Sequence, residues 1–244
     1  MPQKIIFFFL CETISLIGFS QTQIPKILIC SQLDSISDYV IWYAPTNGEI
    51  NIDDKYLFNQ EAFLTREFEK KFNPIGYEVI AQEFPIEFLG KFMIGLTKGL
   101  SNNATDKFGD WLAKNKLEQN IDYVIILRKL SLPPDVTNFS MIDSNLEGEK
   151  FGIVTYYGNK KKVIVYSMID YLVFNTTELK RINYNIHEPF VKEWRKVINY
   201  KEKITKNGFL VDDKIPIIKS ELDSLFLKHI NKISDLIINK KNAL

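Results

Sequence analysis

The sequence predicts a single α/β domain in which a mixed sheet of about five or six strands is flanked by helices. Short apolar runs alternate with longer segments of helical periodicity in the first half of the chain, which is typical of a sheet with parallel strands. A β-hairpin follows near residue 160, and a long amphipathic helix closes the chain. Because residues 21–244 contain no internal repeat or low-complexity linker, we expect them to form one domain.

The first half of the chain supplies the alternating strands and helices. Residues 26–30 and 39–43 are apolar runs that suit buried strands, and turn residues follow the second run. Residues 59–73 predict a helix, which a Pro-Ile-Gly turn ends. Its apolar face consists of Leu64, Phe68 and Phe72. Residues 77–81 predict the next strand, and residues 85–100 predict a helix or helical loop of low stability because they contain three glycines.

The second half begins with a helix and a strand and continues with the hairpin. Residues 106–119 predict a helix, and residues 123–127 predict a buried strand. The core face of that helix consists of Phe108, Trp111 and Leu112. Residues 151–157 and 163–169 are β-rich runs around a short turn that contains Gly-Asn, which predicts a hairpin. We expect the second hairpin strand to continue through Leu172 and Phe174.

Two further helices are predicted after the hairpin. Pro189 suits the first position of a helix that contains Val191, Trp194 and Ile198. The last helix runs from Pro216 and has one apolar face. That face consists of Leu222, Leu225, Phe226, His229, Ile233, Leu236 and Ile237.

Residues 1–20 are typical of a secretory signal peptide. Lys4 precedes an apolar stretch, and Gly18 and Ser20 are small residues at the spacing of a signal-peptidase site. Glu12 weakens the pattern, because an ionised carboxylate inside the apolar stretch is unfavourable. The alternative interpretation is a buried N-terminal strand or helix. The favoured prediction is that residues 1–20 are removed and that residues 21–244 are exported.

The exported product is expected in the periplasm or outside the cell, without a membrane span after cleavage. Leu10 stands where a bacterial lipobox has a small residue before the cysteine, so we do not expect lipid attachment at Cys11. The N-glycosylation pattern, which matters only in a eukaryotic secretory route, begins at Asn103, Asn138 and Asn175.

Nucleophilic catalysis has few candidates in the chain. Removal of the signal leaves Cys30 as the single cysteine, at the end of an apolar run where a small buried hydrophobic residue is expected. The two histidines are His187 and His229, of which the second is expected in the core. A dyad between Cys30 and either histidine stays open at this stage, although we predict no catalytic residue.

Phosphate and metal motifs are incomplete. Residues 90–97 have the glycine spacing of a phosphate-binding loop, but Leu96 replaces its lysine. The acidic pairs at residues 53–54 and 212–213 lack the alternating pattern of a calcium loop and are interpreted as solvated charges. We therefore predict no cofactor and no metal ligand.

The charge of the chain argues against a nucleic-acid partner. The net charge is +1, and the basic runs at residues 160–162 and 240–241 are short. Binding to a phosphate backbone requires a basic surplus or a basic stripe. We therefore predict no nucleic-acid binding.

Three segments resemble a known group of envelope domains. Residues 72–80 look like the helix-to-strand corner of the TolB amino-terminal domain, which also occurs in curli-channel-type and penicillin-binding-protein-activator-type lipoproteins. Residues 120–125 are similar to the following Asp-Tyr-Val strand of these proteins, although Asn120 or Ile121 replaces the expected glycine. Residues 163–179 are similar to the hairpin strand and its turn. The resemblance implies an α/β fold closed by a C-terminal helix, a role in binding or assembly, and no catalytic residue.

The leading functional hypothesis is an exported, non-enzymatic module that binds another protein, with an envelope protein as the expected partner. A secreted hydrolase whose carboxylates come together only in the fold is the first alternative. The second alternative is a small-ligand carrier that uses the aromatic residues between positions 39 and 43.

Overall fold

The computed structural model describes residues 23–31, 38–44, 47–50, 60–85, 88, 106–129, 151–156, 162–167, 169–182, 195–198 and 210–242. These ranges contain ten strands and three α-helices. The strands are β1 (Lys26–Ser31), β2 (Asp38–Ala44), β3 (Asn47–Ile50), β4 (Glu78–Glu83), β5 (Ile121–Lys129), β6 (Phe151–Tyr156), β7 (Lys162–Ser167), β8 (Ile169–Asn175), β9 (Lys180–Arg181) and β10 (Arg195–Ile198). The helices are α1 (Gln60–Phe72), α2 (Asp106–Gln119) and α3 (Ile215–Asn242).

The first sheet is mixed, as the sequence predicts. Its strand order is β4-β1-β5-β8-β9. Strands β4, β1 and β5 are parallel, whereas β8 and β9 each run antiparallel to the preceding neighbour in the sheet. Lys26 lies beside both Glu78 and Ile121, so the amino ends of the three parallel strands share one edge of the sheet.

Helices cover the two faces of this sheet, because its central strands are apolar on both sides. Ile27 and Ile29 belong to the core cluster that includes the apolar faces of α1 and α3. Leu28 and Cys30 belong to a second cluster, with Phe108 and other residues of α2. Side chains alternate between the faces of a strand, so the two clusters lie on opposite faces. The order of β4, β1 and β5 reverses between β1 and β5, which is a topological switch point.

A second sheet of five strands has the order β10-β7-β6-β2-β3. The predicted hairpin is confirmed as the antiparallel pair β6 and β7, but it belongs to this second sheet. The expected continuation of its second strand through Leu172 and Phe174 is wrong, because β7 ends at Ser167 in the second sheet and β8 begins at Ile169 in the first. The apolar character of residues 163–174 predicts strand structure, but it does not tell which sheet each part of the run joins.

Helix α3 connects the two sheets. It packs against α1 and against β7. Its core cluster contains Val163 and Val165 of β7 together with Ile125 and Val173 of the first sheet. The predicted apolar face of α3 is confirmed for the buried residues Leu222, Leu225, Phe226, His229, Ile233 and Ile237, whereas Leu236 is half-buried.

One predicted helix is wrong within the described residues. Ile198 lies in strand β10, which pairs antiparallel with β7, and not in a helix that starts at Pro189. The β-branched pair Val197-Ile198 suits an edge strand next to β7, and this pairing overrides the proline signal. Pro189, Val191 and Trp194 lie outside the described residues, as does most of the predicted segment 85–100.

Candidate functional site

The carboxyl edge of the parallel strands is the first place to examine for a site, because ligands of open α/β sheets bind outside the switch point. A cavity of about 10 Å³ lies there. Its lining residues are Ile29, Ser31, Leu64, Thr65, Ala81, Gln82 and Leu127. This space suits about one water molecule and is too small for a substrate.

The amino edge of the same strands is held by polar contacts at the end of α2. Asn120 adopts a left-handed conformation with φ of 57°, which ends the helix and turns the chain into β5. Its side-chain amide donates to the Gln23 carbonyl at 2.7 Å, and its own carbonyl accepts from the Lys26 amide at 2.9 Å. Lys116 donates to the Asn120 side chain at 3.1 Å and forms an ion pair with Asp122. The segment before β1 is therefore fixed against the last turn of α2.

Thr176 joins the end of β8 to the start of β5. Its hydroxyl lies 2.5 Å from the Ile121 carbonyl and 2.9 Å from the Asp122 carbonyl, and its amide donates to the Asp122 carbonyl at 3.0 Å. The Asn175 side-chain oxygen accepts the amides of Thr177 and Glu178 at 2.9 and 2.8 Å. Because Asn175 is buried and engaged in this turn, the folded protein does not present it as a glycosylation acceptor.

The last turn of α3 closes over the amino edge. Lys240 forms an ion pair with Glu178 at 2.9 Å. Lys241 donates to the Ile75 carbonyl at 3.0 Å, and its ammonium lies 4.7 Å from the centre of the Tyr77 ring. Burial, together with the nearby Tyr123 and Asp122, raises the pKa of Tyr77 to about 12. Tyr77 is therefore a neutral phenol at neutral pH and packs at this edge.

An open depression of about 370 Å³ lies beside this network. It is lined by Gln23, Ile24, Lys26, Glu78, Glu118 and Gln119. Lys26 and Glu78 form an ion pair across it at 3.2 Å. Ile24 is 59% exposed. Leu117 lies in the last turn of α2 and is 86% exposed. We call the depression and these two apolar side chains the amino-edge surface.

The structure separates Cys30 from His229. Cys30 is fully buried on the face covered by α2, and its burial raises the pKa of the thiol to about 12. His229 lies on the buried face of α3, across the sheet from Cys30. A dyad between them is therefore excluded, and Cys30 is a packed core residue. His187 lies outside the described residues.

Several acidic side chains form ion pairs, among them Glu67, Glu78 and Asp122. Asp213 contacts Lys214 in an exposed turn, and both members of the 212–213 pair are exposed. Among the described residues, no three His, Cys, Asp or Glu side chains come together as metal ligands would. The other acidic pair at 53–54 and the glycine-containing segment 90–97 lie outside the described residues.

One pair of carboxylates is perturbed in opposite directions. Glu67 of α1 accepts from Lys70 at 2.6 Å and from Arg66 at 3.3 Å, and these bonds lower its pKa. Asp223 of α3 is half-buried against α1, and burial raises its pKa. Opposed shifts are a feature of acid–base pairs. Neither carboxylate lines the cavity at the carboxyl edge or the depression at the amino edge.

No family model, curated protein or solved structure matches the chain. Within the described part of the chain, no helix combines the length and the apolar character needed to cross a bilayer.

Sequence reasoning missed the residues that build the amino edge. Asn120 is predicted as the end of the helix, and the structure confirms this, but its contacts to Gln23 and Lys26 were not predicted. Thr176 and Lys241 gave no signal for their contacts, because their partners are distant in sequence. Ile24 and Leu117 are apolar residues whose exposure depends on how the helix and strand dock.

Proposed function

We propose that this chain is an exported, non-enzymatic module that binds another protein through its amino-edge surface. The observation that carries the proposal is the exposure of Ile24 in the lining of the depression, together with the exposure of Leu117 in the last turn of α2, which contributes Glu118 and Gln119 to that lining. An exposed apolar side chain alone is ordinary, but one set within a polar rim suits a protein interface. The partner we expect is an envelope protein.

The rim of the surface supports the same proposal. Glu78, Glu118 and Gln119 surround the depression, and Glu78 is only partly neutralised by Lys26, because both side chains reach solvent. Charged groups at the edge of an interface set orientation and association rate more than affinity. The rigid hold of Asn120 on Gln23 keeps Ile24 next to the end of α2, so little ordering is needed on binding.

Export is supported by the pattern of residues 1–20, which lie outside the described residues. The intact mass of the protein recovered from its host tests this part alone. We expect the mass of residues 21–244, without a lipid at Cys11. A mass that includes residues 1–20 would contradict export by signal cleavage. This measurement does not test the binding surface.

The binding proposal is tested with the substitution Leu117→Glu. A carboxylate at this position places a charge in the apolar part of the surface and should abolish co-purification of the partner from crosslinked envelopes. Ala113→Glu is the matched control, because Ala113 is also exposed on α2, one helical turn earlier. Equal co-purification by wild type and Leu117→Glu, with the fold retained, would refute the proposal.

A further inference from the structure

Asp223 is a carboxylate that takes part neither in the amino-edge contacts nor in the apolar core. It lies on α3 where this helix packs against α1, near the ring contact between Phe63 and Phe226, whose centres are 6.4 Å apart. One carboxylate oxygen of Asp223 is shielded from solvent and has no hydrogen-bond partner among the described residues. A shielded oxygen without a donor is unfavourable when it carries charge.

The charges around Asp223 come from both helices. Lys219 stands one turn earlier on α3, and α1 contributes Arg66 and Glu67. Arg66 is already engaged with Glu67 at 3.3 Å and lies 5.5 Å from the Phe63 ring centre.

Strand β7 and the turn before α3 also pack on this helix. Strand β7 contributes Val163 and Val165 to the core that it shares with the helix. The turn at Asp212–Lys214 contains Asp213 and Lys214, which pair with each other and precede the first residue of α3, Ile215.

We propose that Asp223 is a proton-operated latch, whose protonation tightens the packing of α3 on α1 and whose ionisation loosens it. The protonated carboxyl is neutral, so burying its shielded oxygen in the helix interface costs less free energy. Ionisation restores the charge at a site where one oxygen meets neither water nor a donor. A change in the packing of α3 affects both sheets, because α3 also packs on β7 and so links the second sheet to the first.

The direction of the pH effect follows from the carboxyl itself. Burial raises the pKa of Asp223 above its ordinary value, Lys219 and Arg66 oppose this, and Glu67 adds to it. The folded protein therefore holds this proton more tightly than the unfolded chain. Stability contributed by Asp223 is fully present below the ordinary pKa of an aspartate, about 3.9, and is lost as the pH rises through the raised value. Glu67 has the opposite pH dependence, because its pKa is lowered in the folded protein.

The test compares the urea midpoints of wild type and Asp223→Asn between about pH 4 and pH 7.5, a range in which an aspartate with a raised pKa changes charge. The other titrating groups are common to both proteins and cancel in the difference. The asparagine mimics the protonated carboxyl, so we expect the variant to have the higher midpoint at neutral pH and the difference to vanish toward pH 4. Each unit of pKa shift corresponds to about a tenfold difference in the unfolding constant. Asp235→Asn, at an exposed position of the same helix, is the control and should show no such convergence.

A direct titration keeps the inference testable if Asp223→Asn folds poorly. The side-chain carboxyl carbon of Asp223 in the wild-type protein is followed by NMR, together with the backbone amides of α1 and α3. We expect Asp223 to titrate above the ordinary value of an aspartate, about 3.9, and hydrogen exchange along the α1–α3 contact to slow as Asp223 is protonated. A titration midpoint at or below that ordinary value, or a urea-midpoint difference between wild type and variant that does not change with pH, would overturn the latch.

Discussion

Cys30 provides a quantitative test of the packing on the α2 face. The perturbation is a thiol reagent applied to residues 21–244, in which Cys30 is the single natural cysteine. Thiol reagents attack the thiolate, so their rate depends on how much of the thiol is ionised and on whether the sulfur can be reached. In the folded protein Cys30 is fully buried and the pKa of its thiol is raised from 9.0 to about 12.

The expected slowing follows from these two properties. At pH 8, about a tenth of a thiol with a pKa of 9.0 is ionised, compared with about one part in ten thousand when the pKa is about 12. Ionisation alone therefore slows labelling about a thousandfold relative to the unfolded chain. Burial also keeps the reagent from the sulfur, so labelling through transient opening of the α2 face is limited by how often that face opens.

The assay is mass spectrometry of the labelled peptide over time, in buffer and in denaturant. Ser220→Cys supplies an internal standard, because Ser220 is exposed on α3 and its thiol should be labelled at the rate of an unfolded chain. The prediction is labelling about a thousandfold slower than this standard. A labelling rate of Cys30 within about tenfold of the standard would refute both the packing and the raised pKa.

Two further predictions concern the loops of the amino edge. Thr176→Val should lower the free energy of unfolding by about 1–3 kcal/mol in urea titrations, because it removes the donor to two buried carbonyls; Thr176→Ser keeps the hydroxyl and should lose clearly less, and equal losses would contradict this role. Gly76→Ala should cost about 1 kcal/mol, since φ at this residue is 87° and an added Cβ meets nothing within 4 Å, so the cost is conformational. Gly76→Asn, which tolerates the left-handed region better, should retain more of that stability, and an alanine variant as stable as wild type would exclude the strain.

The sequence predicts most helices and strands of this chain, because their packing repeats a local pattern. Leu64, Phe68 and Phe72 recur every fourth residue, and α1 buries all three. Leu28 and Cys30 were expected in a strand buried on both faces, and the two core clusters on either side of β1 confirm it.

The arrangement of strands into two sheets was not predictable in the same way. Val165 and Val173 lie in apolar runs of the same type, yet β7 and β8 belong to different sheets with a single residue between them. The choice depends on the partners of each strand, which are distant in sequence: β6 for one and β5 for the other. Ile198 shows the same limit, since it joins β7 as an edge strand despite the helix signal before it.

The candidate site was predictable only in part. Asn120 indicates the end of a helix, but the partners of Thr176 and Lys241 come from segments more than fifty residues away. Exposure of Leu117 is a property of the docked helix, because a leucine at that spacing could equally have faced the core. The export signal and the TolB-like resemblance stay predictions.

Site-specific photocrosslinking tests the central claim, that the amino-edge surface binds a protein. A photoreactive residue is placed at position 24 or 117, and at position 82, which is exposed at the opposite edge of the first sheet. The proposal predicts an adduct with the same partner from positions 24 and 117 and none from position 82. Adducts of equal yield from all three positions, or an adduct from position 82 alone, would contradict it.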